Sequence, residues 1–192
     1  MNGDVYNEPR YAKEIVGAGA ITGIVGGLVL AIAMMIIATV VGVPAADFAR
    51  GISAVFRGEA AMTGGIGHVV LGIVVHFAVA IAFGVLFAWL IGRATDPRKA
   101  TAGAIAFAIA VWAIMIYVVV RAAAPQLASA LEPVPWWTLL LAHLAFGVPL
   151  TASPRIQRSI GRVPGERGEP EHEWVGRTYK VPPEGKQPAA AT

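Results

Sequence analysis

Histidine is the only ionisable residue type placed well inside the apolar stretches of this chain. Of four histidines, His68, His76 and His143 lie in or at the edge of such stretches. An imidazole surrounded by hydrocarbon is costly, so it marks a functional hypothesis by default. Three chemistries suit these residues. An imidazole can hydrogen-bond across helices, a contact worth about 0.5–2 kcal/mol. His143 with His76 or His68 can supply the two axial ligands of a b-type haem, with nearby glycines leaving space for the macrocycle. The same rings can line a proton or substrate path. No acidic residue lies mid-span to act as a relay partner, which weakens the last reading.

Spacing refines the comparison. His76 follows His68 by eight residues and His143 follows Trp136 by seven. At 1.5 Å per residue both rings then sit roughly 10–12 Å from one end, provided that the two segments run parallel. Counted from the charges at the other end, Arg93 and Arg155, they differ by five residues, or about 7 Å. Gly72 lies four residues before His76, and Gly147 four after His143. A short repeat, His68-Val-Val-Leu-Gly72 against His143-Leu-Ala-Phe-Gly147, points to two hairpins related by an axis along the membrane normal. That alignment pairs His68 with His143, whereas depth pairs His76 with His143, and both pairings stay open.

Other chemistry has little support. The chain contains no cysteine, which excludes disulfides, thiolate metal sites, cysteine nucleophiles and covalent c-type haem attachment. Ser53 and Thr63 have no evident buried Asp/His partner, and no HExxH, Walker motif or strand-flanked glycine fingerprint occurs. The reading therefore leans away from catalysis.

The elements that hold the histidines follow from composition. Of 192 residues 56% are hydrophobic and 14% charged, with a mean hydropathy of +0.65. A soluble domain carries about 25% charged residues, so lipid is the expected solvent for much of the chain. No Asp, Glu, Lys or Arg falls between Glu14 and Asp47, Glu59 and Arg93, Lys99 and Arg121, or Glu132 and Arg155. Each gap meets the roughly 20 residues that cross a hydrocarbon core. Four transmembrane helices are predicted, over residues 15–41, 68–91, 100–120 and 135–152, since only helices satisfy their own backbone groups in lipid. The fold class is an all-α integral membrane four-helix bundle. An amphipathic segment is expected in the 42–67 loop, where Phe48, Ile52, Val55 and Phe56 recur at helical spacing.

Charge sets the expected orientation. With residues 1–14, the 92–99 loop and the segment from 153 onward on one side, that side holds twelve of the fifteen Lys and Arg residues; Arg50, Arg57 and Arg121 fall on the other. This positive-inside bias predicts a multi-pass protein of a bacterial inner membrane with both termini cytoplasmic. Arg93, Arg98, Lys99, Arg155, Arg158 and Arg162 are expected to meet an anionic inner leaflet, at about 1 kcal/mol each near the surface. The net charge of +3 reads as lipid anchoring rather than nucleic-acid binding. Residues 153–192, rich in Pro, Gly and charge, are expected to be a disordered tail in which Trp174 and Tyr179 could dock a partner.

Helix association in lipid relies on close packing, so small residues matter. Gly19, Gly23 and Gly27 form a G-x-x-x-G register, Ala102, Ala106 and Ala110 a similar one, and Ala80, Gly84 and Ala88 a third. These grooves serve packing within the bundle or association with further membrane subunits or a second copy. Trp89, Trp136 and Trp137 are placed for aromatic belts, and Trp112 falls mid-span.

The pattern over residues 15–152 resembles small uncharacterised four-helix bacterial inner-membrane proteins of a domain-of-unknown-function family. The resemblance rests on the Gly-rich first span, Pro44-Ala-Ala-Asp47-Phe48, His68, and Pro135-Trp-Trp-Thr-Leu-Leu-Leu-Ala-His143-Leu-Ala-Phe-Gly147. It implies no established activity and carries over no catalytic residue. The expected role is a non-catalytic accessory or scaffold subunit, with a haem protein and a small transporter or channel as alternatives.

Overall fold

An uninterrupted apolar run without Pro or charge makes a long helix the only economical backbone in lipid. The first such run, residues 15–41, makes up most of α1, Glu8–Val41, whose 34 residues extend about 51 Å and so overreach the hydrocarbon core. The fold is seen in a computed structural model that describes residues 8–94, 96–123 and 125–161. α1 ends on Gly42, whose φ of +74° suits glycine. The amides of Gly42 and Val43 return to the carbonyls of Thr39 (3.4 Å) and Ala38 (2.9 Å), a Schellman stop. After Pro44 the chain forms α2, Ala45–Arg57, which buries Phe48, Gly51, Ser53 and Ala54. α3, Ile66–Ile91, ends at Gly92 with φ +55°.

α4 starts at Pro97 behind an Asp96 cap, whose carboxylate accepts the Arg98 amide at 2.8 Å. Its α-helical part, Pro97–Ile114, passes into a π-helical stretch, Met115–Val120, and a last turn, Arg121–Ala123. A short α5, Pro125–Leu131, precedes α6, Trp136–Leu150, and α7, Ser153–Ile160. Among the described residues, four helical segments are long and apolar enough to cross a membrane: Ala12–Val41, Ile66–Ile91, Pro97–Ala123 and Trp136–Ile160. Their outer faces carry exposed Ile, Leu, Val and Met side chains along the length of the bundle, as a lipid-solvated surface requires.

The helices form a ring in the order α1, α3, α4, α6. Three of its seams are lined by small residues, with Gly19 and Gly23 on α3, Gly26 on α6, and Ala104 and Ala108 of α4 on Gly147 of α6. The fourth, between α3 and α4, is closed by rings. Phe107 lies 6.1 Å from Phe83 and 5.3 Å from Phe87, centroid to centroid. Such tilted and edge-on pairs add about 0.5–1.5 kcal/mol each. α2 lies against α3, where Gly72 meets the Ala49 backbone, and Gly51 receives Leu127 of α5.

The interior has two apolar layers. One, toward α7, is built on Ala80, Phe87, Ala104, Phe146 and Leu150. The other, toward α2, holds Ala38, Phe48, Val134 and Leu139, with Trp112 packed against them.

Two sequence expectations change here. The buried stripe of α4 is Ala100, Ala104 and Ala108, whereas Ala102, Ala106 and Ala110 face outward. Alanine occupies every second position from 100 to 110. Two residues turn a helix by about 200°, so the sequence offers two equal stripes on opposite faces. The second change concerns residues 153–160, expected to be disordered, which form α7. Pro154 suits a first helical turn, and Ser153, Pro154 and Gln157 are buried while Arg155 is exposed. The rest of the expected tail, with Arg162, Trp174 and Tyr179, lies outside the described residues.

Candidate functional site

His76 and His143 stand between the two apolar layers. His76, on α3, places Nε2 2.9 Å from the carbonyl of Gly27 on α1. A carbonyl only accepts, so Nε2–H donates, and the helix-to-helix bond expected from a buried imidazole is made. Gly27 allows it because its own surface is a notch filled by Ala80 and Phe77. His143, on α6, places Nδ1 2.7 Å from the Leu139 carbonyl one turn back. His68 sits in the first turn of α3 against Gly64, with Nδ1 buried and unpartnered. His76 and His143 are thus each held by a backbone carbonyl, and His68 lies eight residues before His76 on α3.

These residues do not fit a haem. The ring nitrogen of His76 that would most simply face a metal already donates to Gly27. The glycines reserved for a macrocycle are occupied: Gly72 by the Ala49 backbone of α2, and Gly147 by Ala104 and Ala108 of α4. What the geometry supplies is a polar rung, in which one imidazole couples α3 to α1 and the other satisfies its own helix.

A second polar cluster, at the α7 end, has no forerunner in the sequence reading. Glu14 is 3% exposed, and Arg93 donates to its Oε2 from Nε at 2.9 Å and again from Nη2. Gln157 of α7, fully buried, donates from Nε2 to the Ala88 carbonyl at 2.8 Å. Arg158 donates to the carbonyls of Ala94 at 2.8 Å and Arg93 at 3.4 Å. The cluster ties α1, the α3–α4 turn and α7 together. Arg93 and Arg158, expected to face headgroups, are thus engaged by the protein. Arg98, Lys99 and Arg155 are exposed, as are Trp89, Trp136 and Trp137. The available signals were an acid at the border of a span and a lone amide within an arginine run. Neither specifies its partner in sequence.

A protein-family model matches residues 13–161, a segment whose two ends meet in this cluster, with Gly161 against the carboxylate of Glu14. The chain belongs to the DUF6789 family, a family of unknown function. Comparison with curated proteins and with solved structures gave no match. For this DUF6789 member the function must therefore be argued from the geometry. The matched segment takes in the whole ring, α2, α5 and α7. It leaves out the charged segment beyond Gly161.

Proposed function

We propose that this DUF6789 protein is a non-catalytic subunit of a larger membrane assembly and holds a partner's transmembrane helix along the outward face of α4. One observation carries the reading. Ala102, Ala106 and Ala110 run exposed along the side of α4 opposite α6, bordered by exposed Ile105 and Ile109. The glycines of the helix seams, Gly19, Gly23 and Gly26 of α1, Gly84 of α3 and Gly147 of α6, are filled by neighbouring helices, whereas this stripe has no occupant among the described residues. Lipid tails gain nothing from a small-residue groove, while a second helix gains close backbone approach. The Lys/Arg distribution supports a bacterial inner membrane with the α7 end and both termini cytoplasmic.

Extraction in mild detergent at native expression should yield a particle heavier than the 20.0 kDa chain with its detergent belt. Ala106→Leu should reduce it to single chains while leaving the unfolding free energy within the ±0.5 kcal/mol typical of surface substitutions. A monodisperse wild-type monomer would reject the proposal.

A further inference from the structure

At the α7 end, α4 begins beside the corner at which α6 turns into α7. Between them lies a recess of about 120 Å³, with Thr101 and Thr151 in its wall and Arg155 and Arg158 at its edge. At about 30 Å³ per water molecule, it has room for a group the size of a phosphate. Arg158 is held in place there. Its Nη1 donates to the carbonyls of Ala94 and Arg93, which leaves Nε and Nη2 for another acceptor. The local acids are committed: Asp96 caps the Arg98 amide, and Glu14 is clasped by Arg93. Arg98 and Lys99, exposed in the first turn of α4, add to the positive potential. The recess opens at the end of the apolar spans, the level of the lipid headgroups on whichever leaflet this end occupies.

We propose that this recess binds a phosphate group, supplied by the headgroup of an anionic phospholipid. Arg155 and Arg158 are its charged donors, their planar forks matching phosphate oxygens, and the Thr101 hydroxyl is a neutral one. The proposal is independent of the α4 partner face.

Delipidated full-length protein in mild detergent is titrated with phosphatidylglycerol, phosphatidylcholine or inorganic phosphate and followed by native mass spectrometry. Phosphatidylglycerol should bind about tenfold more tightly than phosphatidylcholine, a difference of about 1.4 kcal/mol. Arg155→Gln with Thr101→Val should abolish that preference. Arg158 is left intact because it also secures the α3–α4 turn, so the variant retains the fold. Inorganic phosphate that binds the wild type, displaces phosphatidylglycerol and fails to bind the variant would keep the site and move its source to solution. Equal binding of the two lipids, or an undiminished preference in the variant, would overturn the proposal.

Discussion

Gly84→Val should separate α1 from α3 and lower the stability of the bundle by about 3 kcal/mol, the upper end for overpacked interiors. The seam is backbone on backbone. A Cβ at Gly84 would collide with the Gly19 carbonyl and lie 2.7 Å from Gly23 Cα. From the other side, a Cβ at Gly23 would lie 2.6 Å from the Ala80 carbonyl. No side chain can rotate aside to absorb the clash, so the helices must move apart along the seam. The Gly27 carbonyl then withdraws from His76, and the interhelical bond is lost with the packing. Gly67 provides the control, because a Cβ there meets nothing within 4 Å. Gly67→Ala should leave stability unchanged or raise it by up to about 1 kcal/mol through helix propensity. Thermal unfolding of the purified protein in one detergent, followed by circular dichroism, reads both.

Arg93→Ala should destabilise the protein by about 1–3 kcal/mol. Removing one partner of a buried pair leaves a charge without compensation, typically at 3–5 kcal/mol. The Arg93 side chain is 47% exposed, so solvent already weakens the pair and the smaller range applies. Most of the loss should come from stranding the Glu14 carboxylate in a site that is 4% exposed at its side chain. Glu14→Gln added to Arg93→Ala should therefore recover part of the stability, giving a non-additive double-mutant cycle. An additive cycle in the same unfolding assay would show that the clasp contributes nothing beyond its separate residues.

The spans were legible because a charge-free run of membrane length is a coarse signal that few other structures produce. Their ends were less so. Helix α4 begins at Pro97 rather than residue 100, and α7 continues past Ala152. Composition averages over the eight residues of α7, yet Ser153, Pro154 and Gln157 share a buried face that only a folded helix reveals. The alanine stripe could not be placed because its alternation serves both faces of α4 equally. The histidine pairing stayed open for a related reason: depth along a helix is countable from sequence, but facing is not, and only the folded chain brings His76 to the Gly27 carbonyl. Glu14 and Arg93 are 79 residues apart, a separation that no local pattern spans.

The central claim is that the outward stripe of α4 holds another helix. The chain contains no cysteine, so Ala106→Cys introduces a single thiol that can carry a photoactivatable crosslinker in native membranes. Val74, 59% exposed on α3, provides the same label on a face assigned to lipid. Illumination should give one discrete adduct of higher mass from Ala106→Cys and none from Val74→Cys. Only lipid adducts from both positions, or the same protein adducts from both, would contradict the account.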